Sequence, residues 1–213
     1  MSTDPGPVES EVLDRLERRS PAAIADTNHG GVRTLAPGID PVHADCAFAG
    51  TVRTVVLDPD ALWAPVGTLD AAREDEVVVV DADESVDEAI WGELLSSYAS
   101  EQGVRGMVTD GAVRDVSGIR ELGFPAFARE VTPRGPSGDA AVERDVRVTV
   151  GGASMAPGDV LVGDESGVVV IDRDAVEDVA AEADAVDRKE RQVERLIDDG
   201  NSLERAFEDA GMG

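Results

Sequence analysis

The sequence predicts a mixed α/β layered domain, and three observations carry that expectation. AFAGTVRTVVL, residues 47–57, and EVVVVDAD, residues 76–83, are apolar runs with the length and β-branched content of strands, the second of them continuous as in a strand buried on both faces. Segments with apolar residues at helical spacing lie between and beside them. After residue 124 strand-like runs follow one another with little helix between them. Strand, helix, strand in the middle and mostly strands afterwards is the pattern of a layered sheet-and-helix domain.

In chain order, ESEVLDRLERR reads as a short amphipathic helix, and Ser20 and Pro21 start a second one as N-cap and first helical residue. NHGG and LAPGID are loop-like. The strand at 47–57 is followed by a helical stretch around Ala61 to Arg73 and then by the strand at 76–83. DEAIWGELLSSYASEQG places apolar residues at 90, 91, 94, 95, 98 and 99, which predicts a helix ending at Gly103 as its C-terminal cap. VRGMVTD is the next strand, DGAVRD a turn, and a short helix runs near Ile119 to Leu122. FPAFARE, RDVRVTV, DVLVGD and GVVVID read as strands, residues 173–199 as a long charged helix and NSLERAFEDAG as a further one. No internal repeat and no Pro/Gly/Ser linker divides the chain, so one domain over residues 1–213 is expected, with a helical tail at about 173–210.

The chain is 42% apolar but only 3% aromatic, so its core is expected to be built of Val, Ala and Leu. Against 45 acidic residues stand 19 basic ones, giving a net charge of −26, and Lys189 is the single lysine. Phosphate backbones and anionic membrane surfaces need clustered Lys and Arg, so neither nucleic acid nor membrane is an expected partner. High Asp and Glu with almost no Lys resembles the proteins of salt-loving microbes, whose salt screens such self-repulsion. The lone Cys46 excludes an internal disulfide, MSTDPGPVES lacks the basic start and apolar run of a signal peptide, and no run approaches the roughly 18 apolar residues of a membrane span. A cytoplasmic location is the expectation.

Several chemistries lack their residues. There is no G-x-G-x-x-G, no G-x-x-x-x-G-K and no G-x-S-x-G, and one Cys with two His cannot build a structural zinc site. His29 and His43 lie in loop-like segments and read as surface residues. Carboxylate chemistry remains, and GMVTDGAVRDVSGI, residues 106–119, concentrates it. Arg114 and Asp115 follow an apolar strand at its carboxyl end, where ligand crevices form in α/β sheets. Arg114 can fork onto a carboxylate, and Asp115 offers hard oxygens suited to Mg²⁺ or Mn²⁺. A surface ion pair, or an N-cap by Asp115, is the alternative. Glu93 lies in the first turns of a helix, where free N–H groups and the dipole favour an anion, or else it is simply a solvated helix residue. Twenty residues separate Glu93 from Arg114, the length of one helix, one turn and one strand, so both can reach one crevice.

The string from WGELL through EQGVRGMVTDGAVRD to GFPAFA resembles the RraA-like family, which includes regulators of ribonuclease activity and metal-dependent 4-hydroxy-4-methyl-2-oxoglutarate/4-carboxy-4-hydroxy-2-oxoadipate aldolases. LAPGIDPVHADCAFAGTVRTV, DEVVVVDAD and RVTVGGASMAPGDVLVGDESGVVVI extend the likeness over roughly residues 20–190, and the acid, x20, Arg-Asp pattern is its distinctive part. The resemblance implies a swivelling β/β/α fold with N-terminal helices and a C-terminal charged helix, assembled as a homotrimer or a pair of trimers. It makes Asp115 the direct metal ligand and gives Arg114 the keto and leaving-group oxygens. Glu93 holds metal-bound water, and Gly92 to Leu95 form the carboxylate-binding turn through the amides of Leu94 and Leu95. The implied activity is that of a divalent-metal-dependent class II aldolase or lyase, which cleaves a small 2-oxo acid through a pyruvate enolate. No Schiff-base lysine is required, and Lys189 sits in a charged helix. One departure stands out: the aldolase motif continues Arg-Asp-x-x-Glu/Asp, and here Val116 and Ser117 lead to Gly118. That leaves decarboxylation of oxaloacetate, or a non-catalytic regulator that binds a ribonuclease or helicase, as alternatives.

Overall fold

The structure is a computed structural model that describes residues 8–58, 65–137 and 142–212. Two helices open the chain, α1 (Ser10–Glu17) and α2 (Pro21–Ala25). The start of α2 is as the sequence predicts: the Ser20 hydroxyl accepts the Ala23 N–H at 3.0 Å, with Pro21 at the first helical position. Short strands β1 (Val32–Thr34) and β2 (Asp40–Pro41) precede the long β3 (Phe48–Leu57), and α3 (Val66–Leu69) leads to β4 (Glu76–Asp81). Then come β5 (Ala89–Trp91), α4 (Glu93–Glu101), β6 (Gly106–Thr109), β7 (Ala112–Val113), α5 (Val116–Leu122), β8 (Ala126–Ala128) and β9 (Glu130–Val131). The remainder is β10 (Val142–Arg144), β11 (Val148–Val150), β12 (Ala153–Met155), β13 (Val160–Asp164), β14 (Gly167–Ile171), a 3-10 turn at Arg173–Ala175, α6 (Val176–Asp198) and α7 (Leu203–Asp209).

A nine-stranded mixed sheet organises these elements in the order β1-β14-β13-β3-β4-β6-β8-β2, with β10 also paired to β3. β3, β4, β6 and β8 are parallel neighbours, and the outer strands are antiparallel. The continuous apolar run of β4 follows from its position, because side chains alternate between faces and both faces are covered. Val77 and Val79 pack with Phe48, Phe127 and the β11–β12 hairpin, whereas Val78 and Val80 pack with Leu69, Ala99, Ile119 and Trp91 of the opposite layer. A third cluster seats α1, α2 and α6 on β13 and β14 through Leu13, Leu16, Ile24, Val160, Val162, Val169 and Val179. A separate three-stranded parallel sheet, β5-β7-β9, carries the ends that lead into Gly92 and Arg114.

The structure corrects the reading of DEAIWGELLSSYASEQG. Ala89, Ile90 and Trp91 form a strand, and the helix begins only at Glu93. All three are buried in the small sheet, so a continuous buried strand happened to match the helical spacing. Within α4 it is Leu95, Ser96 and Ala99 that turn inward, while Leu94 is 81% exposed. The C-terminus of α4 does fit: Gly103 has φ 77°, its N–H reaches Ser100 O, and the Val104 N–H reaches Ala99 O, a Schellman closure. DGAVRD is a strand with a left-handed residue behind it rather than a plain turn, and α5 starts at Val116, three residues before the expected Ile119. RDVRVTV divides between β10 and β11, and β1, β2 and β12 were not anticipated, each having three residues or fewer. Of the helical stretch expected at 61–73, only Val66–Leu69 is helix, and 61–64 lie outside the described residues. Among the described residues no helix is long and apolar enough to cross a membrane.

Candidate functional site

Two parallel strand ends build the site. β5 and β7 pair with Ala89 opposite Ala112 and Trp91 opposite Val113, and the Arg114 N–H donates to Trp91 O at 2.9 Å. Gly92–Glu93 and Arg114–Asp115 therefore leave the same sheet edge side by side. That is the physical content of the x20 spacing: helix α4, strand β6 and the turn between them bring the chain back beside its starting point.

Gly92 leaves room at a close approach. A Cβ there would stand 2.8 Å from Asp115 Oδ2 and 3.1 Å from Arg114 Cγ, so a larger residue would push on both side chains where they cross the turn. Asp115 sits in the left-handed region, φ 56° and ψ 37°, a conformation Asp tolerates better than most residues but still of order 1 kcal/mol uphill. Its backbone carbonyl accepts the Ile119 N–H at 3.1 Å, and its side chain makes no cap hydrogen bond, so the N-cap alternative for the carboxylate fails. Arg114 Nε lies 3.4 Å from Asp115 Oδ2, with the two side chains 41% and 48% exposed. This is a loose pair, and it leaves both groups available to a ligand.

Helix α4 presents free N–H groups at the same edge. Its first intrahelical bond runs from the Ser96 N–H to Gly92 O at 3.1 Å, so the N–H groups of Glu93, Leu94 and Leu95 precede the hydrogen-bonded turns. The buried Trp91 indole donates to the Ser96 hydroxyl at 2.8 Å and stacks on Phe124, with ring centroids 6.2 Å apart, fixing strand and helix to each other.

A cavity of about 360 Å³ opens here. Ala89, Ile90 and Trp91 form its floor, Gly92, Leu94 and Leu95 one wall, and Arg114 and Asp115 its polar side, with Val66, Gly135 and Pro136 at the rim. Five of the six predicted site residues thus face one cavity. Glu93 does not. Its carboxylate folds back over α5, and a Cβ at Gly118 would lie 2.3 Å from Glu93 Oε2 and 2.4 Å from its Cδ. Where the Arg-Asp-x-x-Glu/Asp motif has its second acid, this chain has Gly118 with the Glu93 carboxylate lying over it. The rim residues Gly135 and Pro136 were missed at the sequence level, although TPRGPS is a turn-forming cluster.

The donor set suits a hard divalent cation. Among the described residues no three His, Cys, Asp or Glu side chains converge on one point, and the cavity lining contains neither His nor Cys. One carboxylate with its remaining coordination left to water and substrate is a Mg²⁺- or Mn²⁺-type arrangement, not a closed protein cage. Behind the site, Asp110 is 3% exposed and accepts the Ala82 N–H at 2.8 Å, closing the ends of β4 and β6. Burial pushes its carboxyl above the usual carboxylate range, the Ala82 hydrogen bond opposing and the Asp81 charge adding to the shift.

Comparison with known proteins agrees with this architecture. The family model described as RraA-like, Aldolase/RraA, matches residues 21–170. A Halalkalibacterium halodurans protein provisionally named as a 4-hydroxy-4-methyl-2-oxoglutarate aldolase is 30% identical over 177 residues, 83% of this chain and 84% of its own. The crystal structure of an uncharacterized protein from Pseudomonas syringae pv. tomato superposes with a TM-score of 0.84 at 27% identity, covering 94% of this chain and 98% of that one. The RNA-processing inhibitor RraA of a Thermus species superposes with a TM-score of 0.63 at 29% identity, covering 69% and 89%. With the layered α/β fold, the paired strand ends and the Glu93-x20-Arg114-Asp115 arrangement in place, the chain belongs to the RraA-like family.

Proposed function

We propose that the cavity at the ends of β5 and β7 binds a small 2-oxo acid and cleaves the carbon–carbon bond beside it. The substrate is a 4-hydroxy-4-methyl-2-oxoglutarate-like acid, or oxaloacetate by decarboxylation. One observation carries the reading: a loosely paired guanidinium, a half-exposed carboxylate and the open first turn of α4 meet in a single cavity of substrate size. The aldolase name of the Halalkalibacterium relative supports it. In this reading the amides of Leu94 and Leu95 receive the substrate carboxylate, and Arg114 forks onto the keto and leaving-group oxygens and orients them. Asp115 would hold a divalent cation, whose chemistry when bound is Lewis-acid stabilisation of the negative charge that develops on the keto oxygen. Glu93, resting over Gly118, orders water at the edge of the site. Exposed Leu94 and Val66 at the cavity mouth, with Tyr98 exposed on the same helix as Leu94, support assembly into a homotrimer or a pair of trimers, which light scattering checks.

The test is pyruvate release from oxaloacetate and from 4-hydroxy-4-methyl-2-oxoglutarate in molar KCl, with and without Mg²⁺ or Mn²⁺, using Asp115→Ala as the control for metal-promoted background. Metal-dependent release above that control is the expected result. No release from either acid, with a ribonuclease or helicase co-purifying, would move the chain to the regulators in its family.

A further inference from the structure

We propose that Glu88 is a positioning residue, which fixes the Arg114 guanidinium through a strap formed by residues 132–137. The strap is stapled at both ends to the small sheet. At one end the Thr132 N–H donates to Val113 O at 3.0 Å. At the other, the Ala89 N–H donates to Arg134 O at 2.7 Å, and the Glu88 carboxylate, only 9% exposed, accepts the Ser137 N–H at 2.9 Å and the Ser137 hydroxyl at 2.7 Å. Arg134 Nε adds a contact at 3.3 Å. A carboxylate taken out of water is costly unless hydrogen-bonded, and among the described residues the partners of Glu88 are Ser137 and Arg134 of the strap, so its burial and the strap conformation stabilise each other.

Between the staples, Gly135 and Pro136 reach the cavity rim. A Cβ at Gly135 would lie 2.5 Å from an Arg114 terminal nitrogen, so the strap backbone rests directly against the guanidinium. Its ion pair with Asp115 is loose, at 3.4 Å, and its stem passes Gly92. The strap therefore bounds the guanidinium on one side, and Glu88 holds the strap's far end beyond the two backbone hydrogen bonds. Supporting groups of this kind decide whether a site residue is held within the narrow range that productive geometry needs.

The kinetic part of this inference rests on the proposed role of Arg114, so the test has a second readout that needs no turnover. Full-length parent, Glu88→Ala, Glu88→Gln and Gly135→Ala are compared in molar KCl for the rate at which phenylglyoxal modifies Arg114, resolved by peptide mass spectrometry, and for kcat/KM and Mn²⁺ affinity. Glu88→Ala frees the strap, so Arg114 modification should accelerate several-fold and kcat/KM on the 2-oxo acid should fall about tenfold with Mn²⁺ affinity unchanged. Glu88→Gln keeps one acceptor and should fall between the two. Gly135→Ala pushes on the flexible end of Arg114 and should lower kcat/KM without lowering the melting temperature, which keeps the inference testable if Glu88→Ala folds poorly. An unchanged Arg114 modification rate in both Glu88 variants overturns the inference, as does faster modification with unchanged kcat/KM. If the parent turns over no 2-oxo acid, the proposed function falls, and the modification rate alone decides whether Glu88 positions Arg114.

Discussion

Two arginine–carboxylate pairs in this molecule use the same chemistry to opposite ends. Arg53 on β3 and Glu76 at the start of β4 form a buried bidentate pair, with Nε to Oε2 at 2.6 Å and a terminal nitrogen to Oε1 at 3.0 Å. Asp145 adds a contact to Arg53 at 3.1 Å, and the Arg73 N–H donates to Glu76 at 2.7 Å. The side chains of this pair are only 10% and 11% exposed, and the guanidinium and the carboxylate direct their donors and acceptors at each other, at Asp145 and at the Arg73 N–H. Arg114 and Asp115 are four times as exposed and touch only at 3.4 Å. Saturation, not residue type, separates a pair that holds strands together from one that is free to bind something else.

The largest expected effect concerns the background on which both pairs sit. With a net charge of −26, screening should stabilise the compact state, so the melting temperature should climb between low and molar KCl, and a flat curve would remove the salt-adapted reading. Next, Arg53→Met strands the Glu76 carboxylate in a dry environment, and unfolding in urea should show a loss of about 3–5 kcal/mol. The open pair should behave in the reverse way. Asp115→Ala should cost under ~1 kcal/mol of stability yet abolish the response to Mn²⁺, and Arg114→Lys should keep Mn²⁺ binding while kcat/KM falls by about 1.5–3 kcal/mol of transition-state stabilisation. Equal metal affinity in Asp115→Ala and the parent would remove the proposed metal site.

Smaller changes sharpen the contrast further. Gly118→Ala replaces a helical glycine and should gain up to about 0.5–1 kcal/mol of stability, while its methyl group displaces the Glu93 carboxylate and lowers turnover. Stability rising as activity falls is the expected signature, and unchanged turnover would leave Glu93 as an ordinary solvated helix residue. The smallest effect is on the acid side. Burial raises the Asp184 carboxyl, but hydrogen bonds from Arg15 and Arg19 outweigh it, and the net position lies below the ordinary value of 3.8. A depressed carboxylate stabilises the folded state above its unfolded value and stops doing so as pH falls through the folded one. The melting-temperature gap between parent and Asp184→Asn should therefore hold steady near neutrality and close below about pH 4. A gap that widens on acidification would show that Asp184 does not tether α1 to α6 through its charge.

Some of the site was legible because its determinants are local. The continuous valines of β4, the Ser20–Pro21 helix start, the Gly103 closure and the Arg114–Asp115 pair all express preferences set within a few residues. That Glu93 and the Arg114–Asp115 pair leave one sheet edge followed from chain length and element order, whereas Gly92, Leu94 and Leu95 entered through the family resemblance. Less legible was Ala89–Ile90–Trp91, where three buried positions of a short strand and one face of a helix are indistinguishable by periodicity. Also illegible was the packing at Gly118: the sequence shows only that the acid is missing, and the structure adds that the Glu93 carboxylate lies over this glycine.

By itself the sequence determined the layered α/β class, the strands of the central sheet, the repulsion of phosphate surfaces and the residue types at the candidate site. These depend on composition and on periods of 2 and 3.6 residues, which every segment carries within itself. Only the tertiary structure decided that β5 and β7 run side by side, that Arg53 is consumed by Glu76 whereas Arg114 is half-exposed, and that a segment bonded to Glu88 passes beside the guanidinium. Those outcomes depend on which strand ends share an edge and which glycine leaves room for a neighbour's side chain, and no local pattern encodes a contact between residues 20 to 50 positions apart.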